Sequence, residues 1–105
     1  MEAVGLIEVK GLAPGLAAAD AACKAAGVNL IGYELAKGGG GMLVIKISGE
    51  VSAVQTAVEA GVAEARKVGE VVSFHVIPRP AESLFPLIES RETVGSDRQR
   101  LLEIE

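Results

Sequence analysis

The sequence predicts an α+β fold of the split βαβ (ferredoxin-like) type, an antiparallel sheet with its helices on one face, followed by a C-terminal extension. Three observations predict it. The chain is 105 residues long, which suits one compact domain. Its periodicities run strand, helix, strand, then a glycine loop, then strand, helix, strand again, so the two halves repeat one pattern. Half of its residues are apolar and only 3% are aromatic. A core of such small aliphatic side chains suits helices packed closely on a sheet.

The elements follow in order. AVGLIEV, residues 3–9, is short and rich in β-formers and reads as a strand that Gly11 ends. Pro14 sits where a helix would begin, because the N–H it lacks has no partner in a first turn. The alanine-rich helix is expected over about residues 16–26, with Gly27 as its natural C′ residue. VNLIGYEL, residues 28–35, is the second strand, and MLVIKI, residues 42–47, is the third. Gly49 and Glu50 open a second helix in which Val51, Val54, Val58, Val62 and Ala65 recur on one face, ending near Val68 and Gly69. VVSFHVI, residues 71–77, is the last strand, with Val72, Phe74 and Val76 on one side and Ser73 and His75 on the other. Beyond it, three of the four prolines mark an irregular excursion with one short helical turn at residues 82–84. From Glu89 onward the chain is mostly polar and charged, and reads either as a short amphipathic helix with Leu101, Leu102 and Ile104 on its apolar side or as a loose tail.

Composition excludes several classes of function. A net charge of −4 and the lack of Trp argue against a nucleic-acid surface, which is basic and stacks bases on aromatic rings. Cys23 is the only cysteine, so no internal disulfide is expected, and one Cys with one His leaves little for a zinc-type metal site. Glu2 and Glu8 stand where a secretion signal would need a basic and then an uninterrupted apolar stretch. No run reaches the roughly 18 apolar residues of a membrane span. The expected location is the cytoplasm. The high apolar content of so small a chain points to subunit contacts, since a small domain has much surface to cover.

Catalytic candidates are few. His75 lies in a strand, where a lone histidine is more often a structural hydrogen-bonding residue than a base. Cys23 lies in the alanine-rich helix and reads as a small buried hydrophobe rather than a reactive thiol. Glu8, Glu34 and Glu50 are scattered, with no evident partner for acid–base chemistry. KGGGGM, residues 37–42, fails as a phosphate-binding loop, because Lys37 precedes the glycines, no Ser or Thr follows, and the loop joins two strands. Two readings of it stay open. One is a flexible hairpin without a role. The other is a backbone that must come close to something else, where a Cβ would intrude.

Four collinear segments then carry a family resemblance. GLIEVKGL (5–12), AADAACKAAGVNLIGYE (18–34), ISGEVSAVQTAVEAG (47–61) and GEVVSFHVIPRP (69–80) are similar, in order and in spacing, to the single-domain shell proteins of bacterial microcompartments. The resemblance implies a BMC shell domain over 1–82 with a C-terminal extension over 83–105. It implies flat cyclic homo-hexamers that tile into a shell facet, with other shell proteins and encapsulated enzymes as partners, and small metabolites crossing a central pore. It places Lys37, Gly38, Gly39, Gly40 and Gly41 at the pore, with Gly40 at its narrowest point. Lys24 matches an edge lysine between hexamers, and Arg79, flanked by Pro78 and Pro80, matches an arginine in the same seam. No catalytic residue, metal or cofactor is implied. The loop is longer than the commonest family version, and Gly27 replaces a commoner Asn or Arg beside the edge. The alternative from another class is a trimeric ferredoxin-like regulator that binds a small ligand in a subunit cleft.

Overall fold

The alternation of the first strand decides the layers. In a computed structural model describing residues 2–38 and 40–95, β1 (Ala3–Lys10) buries Ala3, Ile7 and Val9 in the main core. Glu8 turns to the opposite side, where it accepts a hydrogen bond from Ser73 Oγ at 3.1 Å. β1 pairs antiparallel with β3 (Met42–Gly49) on one side and with β4 (Glu70–Ile77) on the other. β2 (Asn29–Leu35) lies beyond β3, and β5 (Thr93–Val94) lies beyond β2. The order β4-β1-β3-β2-β5 contains the split βαβ arrangement, with one strand added at an edge.

Two helices close the core face. α1 (Leu12–Ala25) presents Ala18, Ala19 and Ala22, and α2 (Val51–Val68) presents Val54, Ala57, Val58, Val62 and Ala65. They meet Ile7, Val9, Leu43, Ile45 and Ile47 from the sheet. Each buried Ile or Leu contributes at most about 1.5–3 kcal/mol, so the core rests on many modest terms. The small residues set the spacing: a Cβ on Gly61 would stand 2.9 Å from the Ala18 carbonyl oxygen, so α2 can approach α1 this closely only at a glycine. Val51, expected on the buried stripe, is partly exposed in the first turn of α2.

Four sequence expectations need correction. α1 starts at Leu12 rather than near residue 16, because proline is tolerated throughout a first turn whose N–H groups are unpaired. It ends at Ala25 with Ala26 extended, and Gly27 does not take the left-handed conformation of a C′ glycine. In β4 the register shifts opposite Glu8 and Val9, which breaks the alternation at Val72: Val71 packs on the core in its place and Val72 is exposed, whereas Phe74 and Val76 share one side as expected, with the Phe74 ring half exposed beneath Arg66 of α2. After the 3-10 turn Glu82–Leu84, which falls where expected, a further turn of helix, α3 (Phe85–Ile88), leads into β5. Residues 93–94 are therefore sheet and not tail. The apolar positions Leu101, Leu102 and Ile104 lie outside the described residues.

Candidate functional site

The glycine loop closes the β2–β3 hairpin. The Ala36 N–H donates to the Met42 carbonyl at 2.9 Å, and the Gly11 N–H donates to the Gly41 carbonyl at 2.8 Å, which ties the loop to the start of α1. Gly38, Gly40 and Gly41 have φ of 119°, 81° and 69°, conformations that side chains disfavour. The turn itself therefore requires glycine at these positions. Space does not: a Cβ on Gly38 or Gly41 would meet nothing within 4 Å, and one on Gly40 would meet only Met42 Cε at 3.8 Å. Lys37, Gly38, Gly40 and Gly41 are all exposed, whereas Gly39 lies outside the described residues. Lys37 Nζ stands 3.3 Å from Glu92 Oε1, just before β5.

A second polar site was not anticipated. Ile45 and Ile47 face the helices, so alternation turns Lys46 to the other face of the sheet. It is nevertheless only 5% exposed, because the chain after β4 folds back over it. Its ammonium donates to Glu34 Oε1 at 2.6 Å, to the Ile88 carbonyl at 2.9 Å and to Thr93 Oγ1 at 2.9 Å. These contacts supply all three of its donors with acceptors, as a buried charge requires. Ser90 Oγ donates to the same Glu34 oxygen at 2.9 Å. The Lys46 bond holds the Glu34 carboxyl below its usual range, partial burial opposes this, and the Ser90 bond adds to the lowering. Glu34 thus has partners, contrary to expectation. A charged residue inside an apolar strand was the available signal, but it does not say which later segment covers it. Gly32 admits that segment. It sits at a register shift in β2 with φ 144°, and a Cβ there would collide with the Val94 carbonyl oxygen.

The remaining candidates lie apart. Lys24 is exposed in the last turn of α1 and pairs with Asp20 at 3.0 Å, one helical turn earlier. Pro78 and Arg79 are exposed just past β4, but Pro80 is buried in the subunit, which leaves two of that trio at the surface. Cys23 is exposed rather than buried, since it falls one position beyond the stripe ending at Ala22. Partial shielding of its sulfur, and then the nearby Asp20 charge, raise its pKa, the reverse of an activated thiolate. His75 is exposed on the outer face of the sheet beside Leu6, Glu8 and Ser73, on the side away from α1. No catalytic pairing of His75 with Cys23 is possible across the sheet. An apolar hollow opens between α1 and the β2–β5 edge, lined by Leu16, Ala19, Leu30, Tyr33 and Val94, and Leu16 and Leu30 are about half exposed there.

Comparison with known proteins gives a consistent result. Residues 3–80 match the family model described as the BMC domain. The chain is 52% identical over 79 residues to the bacterial microcompartment shell protein PduA of Salmonella typhimurium, covering 75% of this chain and 82% of that protein. It is 46% identical over 90 residues to the shell protein EutM of Escherichia coli, covering 83% and 91%. It is 44% identical over 101 residues to the carboxysome shell protein CcmK2 of Synechococcus elongatus, covering 94% and 97%. Among solved structures, a microcompartment protein from Desulfitobacterium hafniense superposes with a TM-score of 0.73 at 36% identity, over 80% of this chain and 47% of that longer one.

Proposed function

The chain belongs to the BMC-domain family of microcompartment shell proteins, and from that premise we propose that it is a shell tile, a cyclic homo-hexamer that packs edge to edge and passes small polar metabolites through a central pore. Its relatives are structural shell proteins rather than enzymes, and the structural role extends to this chain. The pore is the β2–β3 loop, Lys37 to Gly41, repeated around the axis. The observation that carries this reading is the loop itself: exposed, bare of side chains after Lys37, and with open space around Gly38 and Gly41 that their own subunit does not fill. A ring of such loops would present backbone N–H groups to an opening, which favours polar or anionic solutes.

The surfaces agree with the assembly. Leu16, Leu30 and Val94 form an apolar strip along α1 and the β2–β5 edge, large side chains that a neighbouring subunit would cover. Lys24, paired with Asp20 on its own helix, lies exposed like Pro78 and Arg79, where contacts between hexamers would form; Arg79, with prolines on both sides, has a constrained backbone suited to projecting into a neighbour. The resulting location is the shell of a cytoplasmic microcompartment, and among the described residues no helix is long and apolar enough to cross a membrane. Other shell proteins of the same compartment, and the enzymes it encloses, are the expected neighbours. Residues 1–82 form the shell domain, with 83–105 as an extension whose part up to Gly95 packs back on the sheet.

The test is the native mass of the purified protein, with negative-stain images of the same sample. Hexamers that pack into sheets or tubes are expected. Discrete trimers that never tile would overturn the tile and turn the glycine loop into part of a ligand site in a regulator.

A further inference from the structure

We infer that Glu92 is a specificity-determining residue of the pore: it neutralises Lys37 beside the glycine loop, and Lys46 positions it there. The inference rests on the pore reading above. Lys37 is the one charged side chain of the loop, and repeated around a ring it would make the rim strongly cationic. Glu92 Oε1 lies 3.3 Å from its ammonium. Both side chains are largely exposed, at 80% and 57%, so the pair is weak as a source of stability. Its effect is on the field at the rim, where each pair replaces a net positive charge by a dipole.

Exposed pairs of this kind usually wander, and here one partner is held. Glu92 lies between Ser90 and Thr93. Ser90 donates to Glu34 at 2.9 Å, and Thr93 Oγ1 accepts from the buried Lys46 ammonium at 2.9 Å. The Thr93 N–H donates to the Ser90 carbonyl at 3.0 Å, which closes a turn with Arg91 and Glu92 at its tip. On the far side, β5 pairs with β2 through Tyr33–Val94 and Glu34–Thr93. The turn bearing Glu92 is therefore clamped at both ends to the strand that leads into the loop. Lys46 acts through this turn and touches nothing that passes the pore.

The test is ion selectivity of hexamer sheets laid across a porous support between unequal KCl solutions, at low ionic strength where such charges are least screened. The wild type is expected to discriminate little between K⁺ and Cl⁻. Glu92→Gln should raise the Cl⁻ to K⁺ permeability ratio about tenfold, the lower end of the range for focused fields, and Lys37→Gln should lower it comparably. Lys46→Met, which frees the turn, should move the ratio in the same direction as Glu92→Gln. A Glu92→Gln sheet with wild-type selectivity, beside a Lys37→Gln sheet whose selectivity has moved, would overturn the role of Glu92 and leave the pore intact. A Lys46→Met sheet with wild-type selectivity would overturn the positioning role of Lys46. A wild-type sheet that conducts neither ion would remove the pore, and this inference with it.

Discussion

Replacing Lys46 with methionine is the sharpest test of how the later chain is held on the sheet. Methionine keeps most of the stem's volume and removes the ammonium. Three acceptors then lose the ammonium, Glu34 Oε1, the Ile88 carbonyl and Thr93 Oγ1, and keep only the weaker hydroxyl contacts of Ser90 and Thr93. Leaving a buried acceptor unpaired costs about 1–3 kcal/mol, and hydrogen bonds to charged groups contribute about 1.5–3 kcal/mol each. Removing one partner of a fully buried ion pair costs about 3–5 kcal/mol. Glu34 keeps a 32% exposed side chain, so water can recover part of its loss. Thr93 Oγ1 stays 3.3 Å from Ser90 Oγ and 3.5 Å from the Ile88 carbonyl, so part of their loss is offset in place, and full hydration of this pair requires residues 88–94 to lift from the sheet. The loss is therefore capped by the free energy of docking that segment, and about 2–3 kcal/mol is expected. Urea unfolding at one fixed protein concentration would measure it, because assembly adds concentration-dependent stability. Hydrogen exchange would show protection lost at the Thr93 and Val94 amides ahead of the β1 and β3 amides. A variant within about 0.5 kcal/mol of wild type, with those amides still protected, would refute the reasoning, since that is the range of an ordinary surface change.

Further outcomes are expected elsewhere. Lys24→Ala should leave hexamers intact and abolish sheets in negative stain, at a cost in subunit stability of about 0.5 kcal/mol or less from the exposed Asp20 pair; loss of the hexamer itself would show that Lys24 lies at a different contact. Gly32→Ala should cost more than about 2 kcal/mol in urea or release β5, because its φ of 144° and the Val94 carbonyl both oppose a Cβ. The Glu34 carboxyl is lowered from 4.5, so its contribution is fully present above about that pH and disappears as pH falls through the lower folded value. The stability gap between wild type and Glu34→Gln should accordingly be constant near neutrality and close only in acid; a gap that closes between pH 6 and 8 would contradict the assignment. Deleting 96–105 should preserve hexamers by native mass, whereas deleting 89–105 removes Ser90 and Thr93 and should approach the Lys46→Met loss.

The repeated strand–helix–strand order, the apolar stripe from Val54 to Ala65 and the hairpin position of the glycines are all legible in the order of the residues. These are local matters: periods of two and 3.6 residues, and the punctuation by Gly and Pro, act over short spans. The family was legible for the same reason, because the segments between Gly5 and Pro80 keep their order and spacing. The rest follows from contacts between distant parts of the chain. Val71 turned inward and Val72 stayed exposed because β4 shifts register against β1, which depends on the partner strand. Cys23 stands exposed because the helix stripe is set by what α2 and the sheet offer, not by its own apolar character. Lys46 is buried, and Glu34 paired, because a segment more than 40 residues later returns to them. Thr93 and Val94 form a strand although their neighbours are polar, since β2 has an open edge and Gly32 leaves room for their backbone. Such contacts between distant positions leave no periodic trace in the chain, and the folded sheet is the first level at which they exist.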